Sequence, residues 1–445
     1  MVAPRRLDDA DSGVGQLPAD VNGDRKKTPA TLLSRILSLI GPGIITGASD
    51  DDPSGIGTYS MAGAALGYSI LWSAWITFPL MAAVQFICAK VGLASGEGLA
   101  GALRRHYSRK LLLAVVLGLL IANTINAGAD IFAIAAGFNL LFPVRTTALI
   151  LPVAIIIVVL QVWGSYRVIA NVFKWLCLSL FAYIASSFLA HPEWGRVARG
   201  TLLPSIHFDR TFLSILVAVL GTTISPYLFF WQASQEVEEK RAEGRKWLWQ
   251  RRGASDRNVR FRAWDVIVGM LFSNVVMFFI MLASAATLNR AGRTDIGSAE
   301  EAAEVLRPLA GNAATILMAL GLIGTGLLAV PILTGSAAYA VCETFRWPCS
   351  LDAKPHKAKE FYLVVAASTL GGLLIDFLGV SPMKALFWTA VINGFLAPPL
   401  LVLVMLIANN KAVMGKRVNG LTLNILGWAT AVLMFVAAIG LVLTW

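Results

Sequence analysis

Three consecutive carboxylates, Asp50, Asp51 and Asp52, sit in an otherwise apolar stretch and run straight into Pro53, Ser54 and Gly55. A carboxylate at membrane depth is expensive, and it is normally kept for a substrate or ion path. Proline lacks a backbone donor and interrupts a helix. The interruption frees backbone carbonyls, which are tolerated away from water only where they line a cavity or are packed in protein. An acidic side chain beside freed carbonyls has the chemistry of a cation site. The segment from Gly41 to Tyr68 therefore reads as a broken helix built to hold a cation, with a divalent metal as the leading candidate.

The elements that must position this site are membrane helices. Hydrophobic residues make up 57% of the 445-residue chain and charged residues 14%. An average soluble domain carries roughly 25% charged residues. A span needs about 20 apolar residues. Eleven such stretches fall near 38–63, 66–89, 111–142, 146–163, 170–190, 211–232, 264–289, 309–340, 361–379, 384–408 and 421–444. The expected fold is an all-α integral membrane protein of eleven transmembrane helices. Residues 1–31 read as a disordered cytosolic tail, and 32–445 as a single transmembrane domain. The first 35 residues are polar and lack the n-region and h-region of a signal peptide.

The net charge of +11 suggests nucleic acid until its distribution is considered. With the N-terminus in the cytosol, 28 of the 37 Lys and Arg residues fall inside, and 7 lie in outer loops. Lys90 and Lys384 sit at span ends. The positive-inside rule accounts for this bias without a polyanion partner. An odd number of spans leaves Trp445 outside, and a bacterial inner membrane is the expected location. The expected partners are a divalent metal ion and the lipid bilayer, with no nucleic acid. The sequence leaves the oligomeric state open. No cofactor is expected, and the metal is cargo.

Cysteine adds little. Cys88 and Cys177 fall in spans, and Cys342 and Cys349 on the expected cytosolic side, where disulfides rarely persist. His106, His191, His207 and His356 all fall in loops or at span edges, which disfavours an embedded His–carboxylate metal cluster. No nucleophile with an adjacent histidine base supports an enzyme.

A weak internal repeat adds to the first motif. Five spans after the Asp52–Gly55 break, the sixth reads GTTISPYLFFWQ and breaks at Ser225-Pro226-Tyr227. An odd offset makes the two broken helices run in opposite directions. Inverted repeats with a midplane site between two discontinuous helices have this signature. The repeats would cover about 36–190 and 211–408, with an extra helix at about 421–444.

The segment GPGIITGASDDDPSGIGTYSMAGAALGYSILW resembles the first span of the natural resistance-associated macrophage protein (NRAMP) metal transporters. That family opens with GPG, carries a DPGN metal motif, and continues to AGA and Gly-Tyr. Asp52 and Pro53 fall on its Asp-Pro, Ser54 replaces the Gly, and Gly55 replaces the metal-ligating Asn. GTTISPYLFFWQ is similar to the family's GATxMPHNxYLHS, with Pro226 matching and Ser225 in place of the metal-ligating Met. The resemblance implies a metal site at Asp52, Ser49, Gly55, Thr222 and Ser225. Ser49 and Thr222 would act through backbone carbonyls. It also implies a five-plus-five inverted repeat of the LeuT-like kind and metal entry into the cytosol by alternating access.

The departures from the motif shape the expected specificity. A thioether is a soft ligand that favours transition metals. Without it the site is oxygen-only, and Gly55 leaves it roomy. Such a site suits a hard ion that keeps part of its water, as Mg²⁺ does, and Mn²⁺ fits too. This pattern resembles the NRAMP-related magnesium branch. Tyr227 and Gln232 stand at the family's two histidine positions, so proton coupling is expected to be weak. ADIFAIAAGFNLLF resembles the third span, with Asp130 at an acidic position and Ala127 in place of a second acid. Asp130 is a relay or a structural carboxylate, with Asn123 and Asn126 on its helix face.

Further polar residues carry two readings each. Asp50 and Asp51 form a vestibule or cap the half-helix. Asp51, Tyr227, Asp130, Asn126 and Asn393 are the candidate path or coupling residues. Gln85, Thr325 and Thr334 line a path or bond between helices. The acidic run Gln235–Glu239 reads as a solvated helix end or as a gatherer of cations at the cytosolic mouth. Rival functions are a proton-coupled Mn²⁺/Fe²⁺ symporter and a cation-coupled symporter of an organic solute such as an amino acid.

Overall fold

Two prolines, each at the first position of a helix, divide what would otherwise be continuous spans. Proline is suited to this position because its missing N–H has no partner there anyway. The computed structural model describes residues 42–164, 177–351, 353–374 and 379–444. The expected tail (1–31), the start of the first expected span, residues Arg167, Lys174 and Trp445, and parts of the fifth and ninth expected spans lie outside these residues.

Helix α1 (Pro42–Asp50) ends at the carboxylate run, and α2 (Pro53–Leu66) begins after Asp52. The second interruption separates α9 (Arg210–Thr223) from α10 (Pro226–Ala242). Between these pairs come α3 (Trp72–Ser95), α4 (Leu99–His106), α5 (Arg109–Leu141), α6 (Thr146–Trp163), α7 (Phe181–Leu189) and α8 (Trp194–Leu202). After them come α11 (Asp256–Ser284), α12 (Ala314–Phe345), α13 (Lys359–Gly372), α14 (Pro382–Asn409) and α15 (Leu421–Leu443). Shorter turns connect them, and the described residues include no strand.

Eight helical segments among the described residues are long and apolar enough to cross a membrane: Trp72–Ser95, Arg109–Leu141, Thr146–Trp163, Arg210–Ala242, Asp256–Asn289, Ala299–Phe345, Pro382–Asn409 and Leu421–Leu443. All eight coincide with expected spans. The first expected span is broken into α1 and α2, each shorter than a crossing. The 33 residues of α5 would extend about 50 Å, well beyond a hydrocarbon core of about 30 Å.

Small residues let these helices approach closely, the usual packing device where lipid gives no hydrophobic drive between helices. Gly47 of α1 lies against the backbone of Gly269 in α11, with no room for a Cβ. Gly128 of α5 meets Gly372 of α13, and Gly221 of α9 meets Gly394 of α14. The first half-helix α1 packs on α10, and α2 packs on α9. First half lies beside second half, so the two broken helices run antiparallel.

One local reading from the sequence is corrected. The run Gln235–Glu239 is not a solvated helix end. Helix α10 continues to Ala242 and α11 starts at Asp256, so the polar connection is 243–255. Glu236 is fully buried because Arg262 of α11 reaches it at 2.8 Å. A buried charge is retained where it is paired and hydrogen-bonded.

Candidate metal site

Asp52 is held by the helix it starts. Its Oδ1 accepts from the Gly55 N–H at 2.7 Å and from Ser54 Oγ at 2.7 Å. This is an N-cap, and it satisfies one of the amides that a helix start leaves without a partner. The cap fixes the carboxylate and turns Oδ2 toward α5. There Asn126 Nδ2 donates to it at 3.3 Å.

Asn126 links three groups. The same Nδ2 lies 3.4 Å from Asp130 Oδ2, one turn along α5. Its Oδ1 accepts from Asn393 Nδ2 of α14 at 3.4 Å. The structure thus joins Asp52, Asn126, Asp130 and Asn393. The other path candidates bond elsewhere. Thr334 donates to Gln161 of α6 at 2.8 Å, and Thr325 back-bonds to Gly321 O at 2.9 Å.

The second break faces the first. Ser54 Oγ lies 3.4 Å from Thr222 Oγ1 on α9. The Tyr227 hydroxyl of α10 donates to the Ser49 carbonyl of α1 at 3.1 Å. Ser225 Oγ donates back to the Thr222 carbonyl at 2.6 Å and to Gly221 O at 2.9 Å. Its proton is therefore committed to the end of α9, while among the described residues no hydrogen bond to its oxygen is made. The Ser49 and Thr222 carbonyls each accept one bond here, and each oxygen keeps a second lone pair.

Gly55 does not open an empty space. A Cβ there would stand 3.3 Å from Asp50 O, 3.3 Å from Tyr59 Cε2 and 3.4 Å from Asp52 Oδ1. Tyr59 fills the space a longer side chain would use, and its hydroxyl pairs with Thr223 Oγ1 at 3.3 Å. Neither Tyr59 nor Ser54 stood out as site residues in the sequence.

Asp50 and Asp51 differ from Asp52. Both are fully buried, so neither forms an open vestibule. Both face Ser273 of α11, whose Oγ is 2.6 Å from Asp50 Oδ2 and 3.3 Å from Asp51 Oδ1. One hydroxyl proton cannot serve two carboxylates equally, and the short bond goes to Asp50. Ser273 is more than 200 positions from this motif, and nothing local in the sequence marks it. Among the described residues, no basic side chain forms an ion pair with Asp50, Asp51, Asp52 or Asp130. Nor do three His, Cys, Asp or Glu side chains converge there to hold a metal. The donors around Asp52 are one carboxylate plus carbonyls, hydroxyls and amides.

The site is closed to solvent. Asp52, Ser49, Thr222, Ser225 and Tyr227 are each 1% exposed. On one side the closure includes the Tyr59–Thr223 contact. On the other, Thr46 Oγ1 of α1 donates to Gln232 Oε1 at 2.7 Å, and Gln232 Nε2 donates to Glu236 Oε1 at 2.9 Å. Arg262 then pairs with Glu236, Glu239 and Asp265, and Asp265 Oδ2 accepts from the Gly43 N–H of α1 at 2.8 Å. This chain of polar contacts ties α1, α10 and α11 together.

The family model described as natural resistance-associated macrophage protein-like matches residues 43–444. The chain belongs to the NRAMP family. A divalent metal cation transporter, MntH, from Yersinia enterocolitica is 28% identical over 412 residues, covering 90% of this chain and 93% of that protein. The crystal structure of the Eremococcus coleocola manganese transporter, in complex with an aromatic bis-isothiourea substituted compound, shares the fold at a TM-score of 0.73 and 18% identity. That likeness covers 93% of this chain and 87% of the other. Mhp1, a nucleobase-cation-symport-1 family transporter in a closed conformation, is more distant, at a TM-score of 0.58 and 15% identity over 92% of this chain and 93% of the other. NRAMP proteins are transporters, so the chain is not an enzyme.

The Arg262 network gives a stability prediction. Arg262→Ala leaves Glu236 and Asp265 buried without their cation, and breaking a buried pair costs about 3–5 kcal/mol. Glu236→Gln keeps the Gln232 bond and leaves Arg262 with two carboxylates, so it should cost clearly less. Thermal unfolding of the purified variants in one detergent checks the order: Arg262→Ala should melt well below Glu236→Gln, and the reverse order would refute the network's role.

Proposed function

We propose that the protein carries divalent metal cations across the membrane into the cytosol by alternating access, with Asp52 as the principal ligand. The observation that carries this reading is a capped, solvent-closed carboxylate at one helix break, facing a second break. Ser49 and Thr222 would add backbone carbonyls, and Ser225 a hydroxyl oxygen. Asp51, Tyr227, Asp130, Asn126 and Asn393 would shape the path or its coupling. The full arrangement would be eleven spans, with inverted repeats at about 36–190 and 211–408 and a peripheral helix at about 421–444. The antiparallel pairing of the broken helices supports the repeat. The charge distribution supports a cytosolic N-terminus and an outer C-terminus, and the bacterial relative MntH supports a bacterial inner membrane.

Among divalent ions, the oxygen-only donors favour Mg²⁺ and Mn²⁺ over softer metals. The relatives' names point to manganese, and the absence of a thioether at Ser225 favours magnesium. Proton coupling would be weak, with Asp130 as the relay, because Tyr227 and Gln232 do not titrate near neutral pH.

Three measurements test this reading. Asp52→Ala, checked for folding by its melting midpoint, should lose metal uptake; near-normal uptake would remove Asp52 as the ligand. Ser225→Met should raise Cd²⁺ affinity relative to Mg²⁺ in calorimetric titrations, and Cd²⁺ binding by the unmodified protein as tight as that of the variant would contradict the oxygen-only site. In vesicles containing a pH-sensitive dye, metal-driven acidification should be small and absent in Asp130→Asn. Strong acidification that survives the substitution would show that coupling is robust and runs elsewhere.

A further inference from the structure

Six of the exposed residues in the N-terminal half of α11 fall on one helical face. Arg257, Arg260, Trp264, Val268, Leu271 and Val275 follow one another at steps of three or four residues. All six are exposed, with Trp264 at 69%. The face changes character along its length: two guanidinium groups, then an indole, then three aliphatic side chains. Trp264 to Val275 spans about 16 Å of helix, close to half of a hydrocarbon core of about 30 Å. An indole at the junction of charged and aliphatic surface is the usual membrane-interface anchor.

The connection leading into α11 adds more of the same chemistry. Trp247 and Trp249 are 66% and 74% exposed, and exposed Lys246 and Arg252 lie around them. The carboxylates of this stretch are already engaged. Glu243 pairs with Arg245, and Asp256 with Arg417. Lys246, Arg252, Arg257 and Arg260 form no ion pair among the described residues. Four cations without an ion pair among the described residues therefore lie along the sequence leading into an apolar, outward-facing stripe, with Arg260 acting on Asp256 only at longer range.

From this continuity we infer a binding surface for an anionic phospholipid, formed by Lys246, Arg252, Arg257 and Arg260 with Trp264 and the stripe below it. The phosphate sits among the cations, and the acyl chains lie along Val268, Leu271 and Val275. A soluble phosphate would use only the charged half, whereas a membrane lipid matches both. Basic groups at the membrane edge attract anionic headgroups in this way. The surface is separate from the metal site and does not depend on which ion is carried.

The full-length protein in vesicles of mixed phosphatidylcholine and phosphatidylglycerol gives the test. After release, native mass spectrometry counts each lipid retained. The unmodified protein should keep phosphatidylglycerol preferentially. Replacing Lys246, Arg252, Arg257 and Arg260 by Gln should weaken that preference by roughly five-fold per charge removed. Arg257→Lys with Arg260→Lys should preserve it. Equal retention of both lipids by the unmodified protein, or an unchanged preference in the Gln variant, would overturn the proposal. So would loss of the preference to inorganic phosphate at constant ionic strength, which would assign the cations to a soluble anion. Hydrogen–deuterium exchange over 245–261 in the unmodified protein needs no variant to fold. Protection should appear in phosphatidylglycerol vesicles and not in phosphatidylcholine alone, and equal protection in both would also overturn the proposal.

Discussion

The arrangement depends on one constraint: a helix cannot run through Asp52-Pro53 without losing a backbone bond. The chain breaks there, and the break leaves amides without partners at the start of α2. Asp52 satisfies one of them through Oδ1. The cap holds the carboxylate in a single orientation, and the positive end of the helix dipole favours its charge. Its second oxygen is left facing Asn126. Pre-orientation and charge therefore come from the same local geometry. An Asn in this position would cap about as well and would lack only the charge.

The second break matters because it comes back against the first. Hydroxyls and carbonyls from α1, α2, α9 and α10 meet near Asp52, and glycine contacts hold α1 on α11, α5 on α13 and α9 on α14 around them. The two sides of this compartment are closed unequally. One side holds the Tyr59–Thr223 hydroxyl contact. The other holds the Thr46–Gln232–Glu236 chain and the Arg262 ion network. Separating α1 from α10 and α11 breaks hydrogen bonds to buried carboxylates, Gly43 N–H to Asp265 and Ser273 to Asp50, whereas the Tyr59–Thr223 contact is a neutral hydrogen bond.

Much of the architecture was legible in the sequence because apolar length and proline position are local signals. The eight long apolar helices and the breaks at Asp52-Pro53 and Ser225-Pro226 follow directly from them. The eleven-span count goes beyond these eight, since the first span is interrupted and two others include residues outside those described. Local sequence carried less information about which polar groups meet. Asn126 was a candidate on a helix-face argument and Asn393 as a polar residue within a span; Asn126's contacts with Asp52 and Asp130, and Asn393's bond to Asn126, distinguish them from Thr325 and Thr334. Ser273 was invisible because its partnership with Asp50 and Asp51 is long-range. Glu236 was misread because an acidic run is ordinarily solvated, and only the distant Arg262 makes its burial tolerable. Gly55 looked like open space until Tyr59, one turn on, was seen to occupy it.

The central claim is that a divalent cation binds at the two breaks with Asp52 as its carboxylate ligand. Anomalous diffraction from crystals soaked in Mn²⁺ tests it most directly, because the peak locates the ion without reference to transport. The account predicts one strong peak within direct-ligand distance of an Asp52 carboxylate oxygen, adjacent to the Ser49 and Thr222 carbonyls. A peak at the Asp50–Asp51–Ser273 cluster, with none at Asp52, would contradict it.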